Sequence, residues 1–304
     1  MHSQSRENQL VDERDFHILS RLRGDPFSSY ETLGRGVGLS GKAVKTRIEA
    51  LEEIGVLTSL RAMPAAQVFR RFPRLFLFKQ PVTARENLKR VVELDPVVFA
   101  TLDANHNAAV LTYNRLPSAR PPEELSRLLG PTELEVTPMF PHPGAKLLRP
   151  VSLAELKVLR ALIVNLRMSV SQISHSTGLS QKVVKRARKQ LLERGLFQVQ
   201  PIFQSAQSSR ILMYELHVHS DEDSVLSRVS NALPRSVFVN QWEHTAMIFS
   251  CWAESVAEVY ETERRLKGEP GVTGVRVKFH TTTLLSSSRL AGWIDAEILR
   301  QERG

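Results

Sequence analysis

The chain repeats itself at an offset of 140 residues. Val11 to Leu57 can be laid on Val151 to Phe197 without a gap. Val11, Leu19, Leu22, Ser29, Gly38, Leu39, Ser40, Lys42, Val44, Lys45, Leu51, Glu53 and Gly55 recur as Val151, Leu159, Leu162, Ser169, Gly178, Leu179, Ser180, Lys182, Val184, Lys185, Leu191, Glu193 and Gly195. A repeat of this length, with its apolar positions preserved, calls for one architecture built twice.

Each copy reads as three helices. In the first, Phe16, Ile18, Leu19 and Leu22 form an apolar stripe behind the acidic start Asp12-Glu13, and Gly24-Asp25-Pro26 stops it. A short second helix runs from Tyr30 to Gly36. Gly38 suits a tight turn at positive φ, and Ser40 is the N-cap of a third helix, Gly41 to Ile54, which Gly55 ends. The second copy predicts helices at Leu153–Leu166, Ser171–Thr177 and Gln181–Arg194, with Gly195 as the stop. This is the pattern of a helix-turn-helix. The β-prone pieces Val56–Ala62 and Leu196–Phe203 fit the wing of a winged helix.

The remainder of each copy predicts strands and helices in the order β-α-β-β-α-β, the ferredoxin-like split unit. The expected fold class is α+β: two winged helix-turn-helix domains and two ferredoxin-like domains as a tandem repeat. The expected boundaries are a disordered lead-in 1–10, winged helix 11–62, α/β domain 63–140, and linker 141–150 marked by Pro141, Pro143 and Gly144. The second winged helix is 151–204, the second α/β domain 205–280, and 281–304 a C-terminal helical extension after a polar Ser/Thr stretch.

Composition narrows the class of protein. One cysteine, Cys251, excludes an internal disulfide framework and a Cys-based zinc site. No apolar run approaches the ~18 residues that span a bilayer, and residues 1–10 lack the apolar core of a signal peptide. A reducing, cytoplasmic setting is expected. The net charge is +9 and is unevenly placed. Residues 11–62 hold eight basic and eight acidic side chains, whereas 151–200 hold nine basic and two acidic. Charge concentrated in one module is an electrostatic footprint for a polyanion.

A winged helix followed by a β-α-β-β-α-β domain resembles the Lrp/AsnC family of prokaryotic transcription regulators, over nearly the whole chain and twice. VDERDFHILSRL, VGLS and KTRIEALEEIGVL carry the likeness in the first copy, TGLS and KRARKQLLERGLF in the second. The resemblance implies double-stranded DNA as partner. It also implies α/β domains that pair, making this chain an intramolecular pseudo-dimer, with further homo-oligomerisation left open. A small-molecule effector between the paired domains belongs to the same picture. The sequence departs from the family in one place. The glycine usual near the effector pocket is replaced by Asp103 or Ala104 in one copy and Gln241 or Trp242 in the other. A degenerate pocket, an aromatic ligand beside Trp242 and Trp252, and no ligand all stay open.

In a helix-turn-helix the third helix enters the major groove. Helical spacing puts Val44, Ile48 and Leu51 on the buried stripe of the first copy and Lys42, Lys45, Thr46 and Glu49 opposite. In the second copy Val184, Ala187 and Leu191 are buried, Lys182, Lys185, Arg186 and Lys189 lie opposite, and Arg188 is on the flank. Ser40 and Ser180 can present backbone amides to phosphate. Arg186 is the candidate base contact, because Arg grips guanine bidentately, and the lysines are candidate phosphate contacts. A solvated basic helix face is the plainer alternative.

Catalytic motifs are missing from the sequence: it has no His-Glu-x-x-His, no P-loop and no nucleophile elbow. No cofactor and no metal are expected. His217 and His219 lie two apart on a strand with only Asp221 nearby, short of a ligand set. His106 and His244 fall in corresponding turns. Sirohaem decarboxylases resemble this family closely, join winged helices to the same α/β unit, and use histidine around a tetrapyrrole. That enzyme reading is one alternative, an effector-free architectural DNA-binding protein another. The preferred account of the two histidines is a polar turn copied by duplication, because a purely enzymatic descendant has no need of the cationic helix.

Overall fold

The structure, a computed structural model, describes residues 12–53, 57–79, 84–116, 121–129, 134–138, 149–203, 212–233, 235–243 and 246–303. The lead-in 1–10, the helix stop Gly55, the linker markers Pro141, Pro143 and Gly144, and His244 lie outside the described residues.

The first copy opens with α1 (Glu13–Gly24), α2 (Tyr30–Arg35) and α3 (Gly41–Glu53). The second repeats them as α6 (Leu153–Val164), α7 (Val170–Thr177) and α8 (Gln181–Glu193). Capping boxes start both first helices. Asp12 and Asp15 form one and Ser152 and Glu155 the other, so free amide donors and helix dipole meet acceptors. Gly38 and Gly178 stand at φ +68° and +71°, as the turn requires. Gly34 of α2 leaves room for the turn carbonyl, since a Cβ there would lie 2.2 Å from Leu39 O. The second copy closes the same turn with Ser174, whose hydroxyl donates to Leu179 O at 2.6 Å. Gly195, at φ +59°, ends α8 with the Leu196 amide bonded to Leu191 O, a Schellman closure.

Strands β1 (Leu57–Pro64) and β6 (Phe197–Phe203) follow the two helix triplets. They pair with each other, with the Ala65 amide bonded to Leu196 O. After β1 the chain turns at once into a 3-10 turn, Ala66–Phe69.

The first α/β domain holds β2 (Phe72–Phe78), α4 (Ala84–Glu93), β3 (Val97–Asp103), β4 (Ala108–Asn114), α5 (Glu123–Leu129) and β5 (Leu134–Pro138). The second holds β7 (Leu212–Ser220), α9 (Asp223–Ala232), β8 (Ser236–Glu243), β9 (Ala246–Ala253), α10 (Val256–Lys267) and β10 (Val272–Lys278). The second sheet runs β10-β7-β9-β8, the split β-α-β order. Along β7, Tyr214, Leu216 and Val218 point to the core while Glu215, His217 and His219 alternate away. Leu216 and Phe249 meet Val229 of α9 and Val259 of α10 there. In the first domain Phe76, Leu102 and Val110 meet Leu88, Val91 and Leu125 in the same way.

The first sheet has a fifth strand that the sequence did not announce. Residues read as a polar lead to a helix form β11 (His280–Leu285), antiparallel to β3, with Leu285 opposite Phe99 and His280 opposite Asp103. Its threonines favour a pleated edge despite their polarity. Thr101 Oγ1 lies 2.9 Å from His280 Nδ1 and donates to Thr282 O at 3.0 Å, so the polar strand meets a polar row on β3. Helix α11 (Ser287–Arg303) follows. Arg289 donates to the carbonyls of Glu93, Leu94 and Val97, where α4 ends and β3 begins. Trp293 meets Phe69 edge-on at 5.4 Å, with the Arg71 guanidinium 4.0 Å from its ring centre. Asp295 and Glu302 pair with Arg160 and Lys157 of α6, each at 2.8 Å.

The compact units do not coincide with the repeats. One unit combines α1–α3 with the second α/β domain; the other combines α6–α8 with the first α/β domain, β11 and α11. Each triplet of helices thus shares a unit with the α/β domain of the other copy.

Candidate nucleic-acid interface

Helices α3 and α8 are amphipathic, and their inner stripes anchor them. Val44, Ile48 and Leu51 are buried in one, Val184, Ala187 and Leu191 in the other. Ser40 Oγ accepts from the Ala43 amide at 3.2 Å and Ser180 Oγ from the Val183 amide at 3.4 Å, so both serines are N-caps. Lys42, Lys45 and Thr46 are exposed, as are Lys182, Lys185, Arg186 and Lys189, while Arg188 is half-buried on the flank.

The two outer faces differ in electrostatics. Lys45 lies 3.6 Å from Glu49 and is partly neutralised by it. Arg47, the third cation of α3, turns inward: it donates to Asp12 at 3.0 Å and to the buried Asp15 at 2.9 Å. On α8, Lys189 is 3.7 Å from Glu193, and among the described residues Lys182, Lys185 and Arg186 form no ion pair. A helix face with unpaired cations attracts phosphate, and release of condensed counterions drives such binding.

Each helix triplet also holds a buried carboxylate that sequence reasoning passed over. Asp15 is held by Arg47 from α3. Burial raises its pKa above the ordinary value, and the Arg47 contact opposes that rise. Glu155, its counterpart 140 residues on, accepts from Arg149 and Arg194, each at 2.8 Å. Burial pushes its carboxyl upward, but the Arg149 and Ser152 bonds outweigh that and hold it at about 2. The repeat signals this position, although its partners come from unrelated places in the chain.

His106 is exposed at φ +62°, in a turn where the buried Asp103 carboxylate accepts from the Asn105 and Asn107 amides at 2.9 and 2.8 Å. Asp103 therefore builds a hairpin turn. His217 lies 3.2 Å from Glu215, and among the described residues no cluster of three or more metal-ligating side chains occurs. A cavity of about 290 Å³ opens in the second α/β domain, lined by Tyr214, Arg235, Cys251, Trp252, Glu258 and Arg265 among others. Arg235 donates to Glu258 at 2.6 Å and lies 4.4 Å from the Trp252 ring centre. Burial pushes the Cys251 thiol up to about 12, so it is an inert packing group.

Among the described residues no helix is long and apolar enough to cross a membrane. Residues 11–58 match the family of winged helix-turn-helix DNA-binding domains. The chain is 32% identical over 91 residues to the HTH-type transcriptional regulator Ptr1 of Methanocaldococcus jannaschii, covering 29% of this chain and 62% of that protein. It is 40% identical over 62 residues to an uncharacterised HTH-type regulator, PH0045, of Pyrococcus horikoshii, covering 20% of this chain and 40% of the relative. The match thus spans less than two thirds of either regulator. In fold, the chain is similar to the sirohaem decarboxylase NirDL, with a TM-score of 0.50 and 13% identity over 95% of this chain and 100% of the other. Residues 11–58 thus match a winged helix-turn-helix, the helix triplet recurs as α6–α8, and each copy goes on into a β-α-β-β-α-β domain, so the chain is a tandem repeat of these two parts.

Proposed function

We propose that this chain is a sequence-specific, DNA-binding transcription regulator that carries two unlike reading modules. The observation that carries this reading is the outer face of α8, where Lys182, Lys185, Arg186 and Lys189 stand exposed around one recognition helix. Arg186 reads a base edge, Lys182, Lys185, Lys189 and Arg188 contact phosphate, and Ser180 offers its helix N-terminus. Ser40, Lys42, Lys45 and Thr46 make a weaker set, because Glu49 stands among them. One chain then acts as a pseudo-dimer, in the cytoplasm, on an asymmetric site. The cavity beside Trp252 is the candidate place for a small-molecule effector. Selection of binding sites from random DNA tests the reading. An asymmetric consensus with one strong half-site supports it; a perfect palindrome points to two chains using the same module, and no enrichment rejects it.

The fold shared with a sirohaem decarboxylase supports a second reading, a tetrapyrrole enzyme. The two are separated by titrating purified protein with an iron tetrapyrrole. A saturable change in visible absorption, with no selected DNA site, favours the enzyme.

A further inference from the structure

We infer that Val183 reads a thymine methyl group in the second half-site. This rests on the DNA-reading account above and names one of its specificity contacts.

Val183 sits in the first turn of α8 and is 38% exposed, although its neighbour Val184 is fully buried. It is flanked by Lys182, with Arg186 one helical turn on, all on the surface turned away from the module's core. The side chain is outside the buried stripe of Val184, Ala187 and Leu191. A β-branched residue also loses rotamer freedom in a helix, so alanine or lysine would favour α8 more. What valine adds is an apolar surface among cations. Phosphate cannot use such a surface. The one apolar group that the major groove presents is the 5-methyl of thymine. The N-terminal turn of a recognition helix is the part that reaches base edges.

The duplication supplies a comparison. The residue equivalent to Val183 is Ala43, half-buried, with a single methyl group. The two half-sites should therefore differ at this base pair, with thymine strongly preferred only under α8.

The test uses the full chain and a site selected from random DNA. Each thymine of the second half-site is replaced in turn by deoxyuridine, which removes only the methyl. One replacement should weaken wild-type binding roughly fourfold, the worth of one buried methyl-sized group. Val183→Ala should bind the thymine site more weakly and should lose clearly less than the wild type on that replacement. Alanine is the better helix former, so α8 persists in the variant, and its thermal unfolding checks this. If no replacement weakens the wild type, or if Val183→Ala responds equally, the inference is wrong while the DNA-reading account stands. A chain that selects no DNA overturns both, and that outcome is visible before any thymine is changed.

Discussion

Phe16 of the first reading module lies stacked on Trp252 of the second α/β domain, with ring centroids 4.6 Å apart and planes 12° apart. The two residues are separated by most of the chain, yet both are buried. Trp252 also lines the cavity that holds Arg235 and Glu258. This ring pair is a direct connection between the first helix triplet and the domain that carries the cavity.

Removing either ring should loosen that connection. Phe16→Ala or Trp252→Ala should cost about 3–5 kcal/mol of stability, the usual loss for a buried aromatic. The double variant should cost less than the two added, by about 0.5–1.5 kcal/mol, since a stacked pair is worth that beyond its area. Urea unfolding of the four proteins measures this. Strict additivity would mean that the rings do not act on each other.

Among the described residues the first copy has no helix matching α11, which ties α6 to the first α/β domain through Arg289, Trp293 and Asp295. Arg289→Ala should leave several carbonyls at the end of α4 without their donor, costing about 2–4 kcal/mol. Hydrogen exchange should rise in α4 and β3 but not in α9 or α10. Uniform protection in the variant would contradict this role for Arg289.

Acid should affect the two reading modules in opposite directions. Glu155, held at about 2, stabilises its module above the ordinary carboxyl value of 4.5, and this contribution fades as pH falls toward 2. Asp15 has a raised value, so its protonation favours the folded form, and its contribution weakens as pH rises through that value. Between pH 5 and pH 3, exchange in α6–α8 should accelerate relative to α1–α3. Glu155→Gln should cost about 2–4 kcal/mol at neutral pH and abolish the difference. A variant that keeps the acid response would place its origin elsewhere.

The sequence made much of each reading module legible, for identifiable physical reasons. The 3.6-residue spacing of Val44, Ile48 and Leu51 separates an inner from an outer face, and the structure exposes Lys42, Lys45 and Thr46 accordingly. Gly38 and Gly178 mark the turns because a positive φ favours glycine. The α/β order could be read from alternation, and β3, β4 and α5 begin and end where the pattern changes. What escaped was long-range. The β11 strand is polar and defined by its partner β3, and nothing local in Thr281–Thr283 announces that partner. The grouping of each helix triplet with the other copy's α/β domain depends on contacts such as Phe16 with Trp252, which no periodicity encodes. The inward turn of Arg47 is hidden for the same reason, since Asp12 and Asp15 lie more than 30 residues away. The cavity at Arg235 draws its lining from β7, β9 and α10 and has no motif.

The second module should hold the DNA more tightly than the first, and salt-dependent binding decides whether it does. One variant replaces Lys182, Lys185, Arg186 and Lys189 with alanine; the other replaces Lys42 and Lys45. Neither touches the stripes through Val184 and Val44, so both should fold. On one selected site, the slope of log K against log salt should flatten by about 0.9 for each phosphate that the variant no longer neutralises. Affinity and slope should both fall far more in the first variant than in the second. Equal effects, or a larger effect from Lys42 and Lys45, would contradict the unequal roles of the two modules.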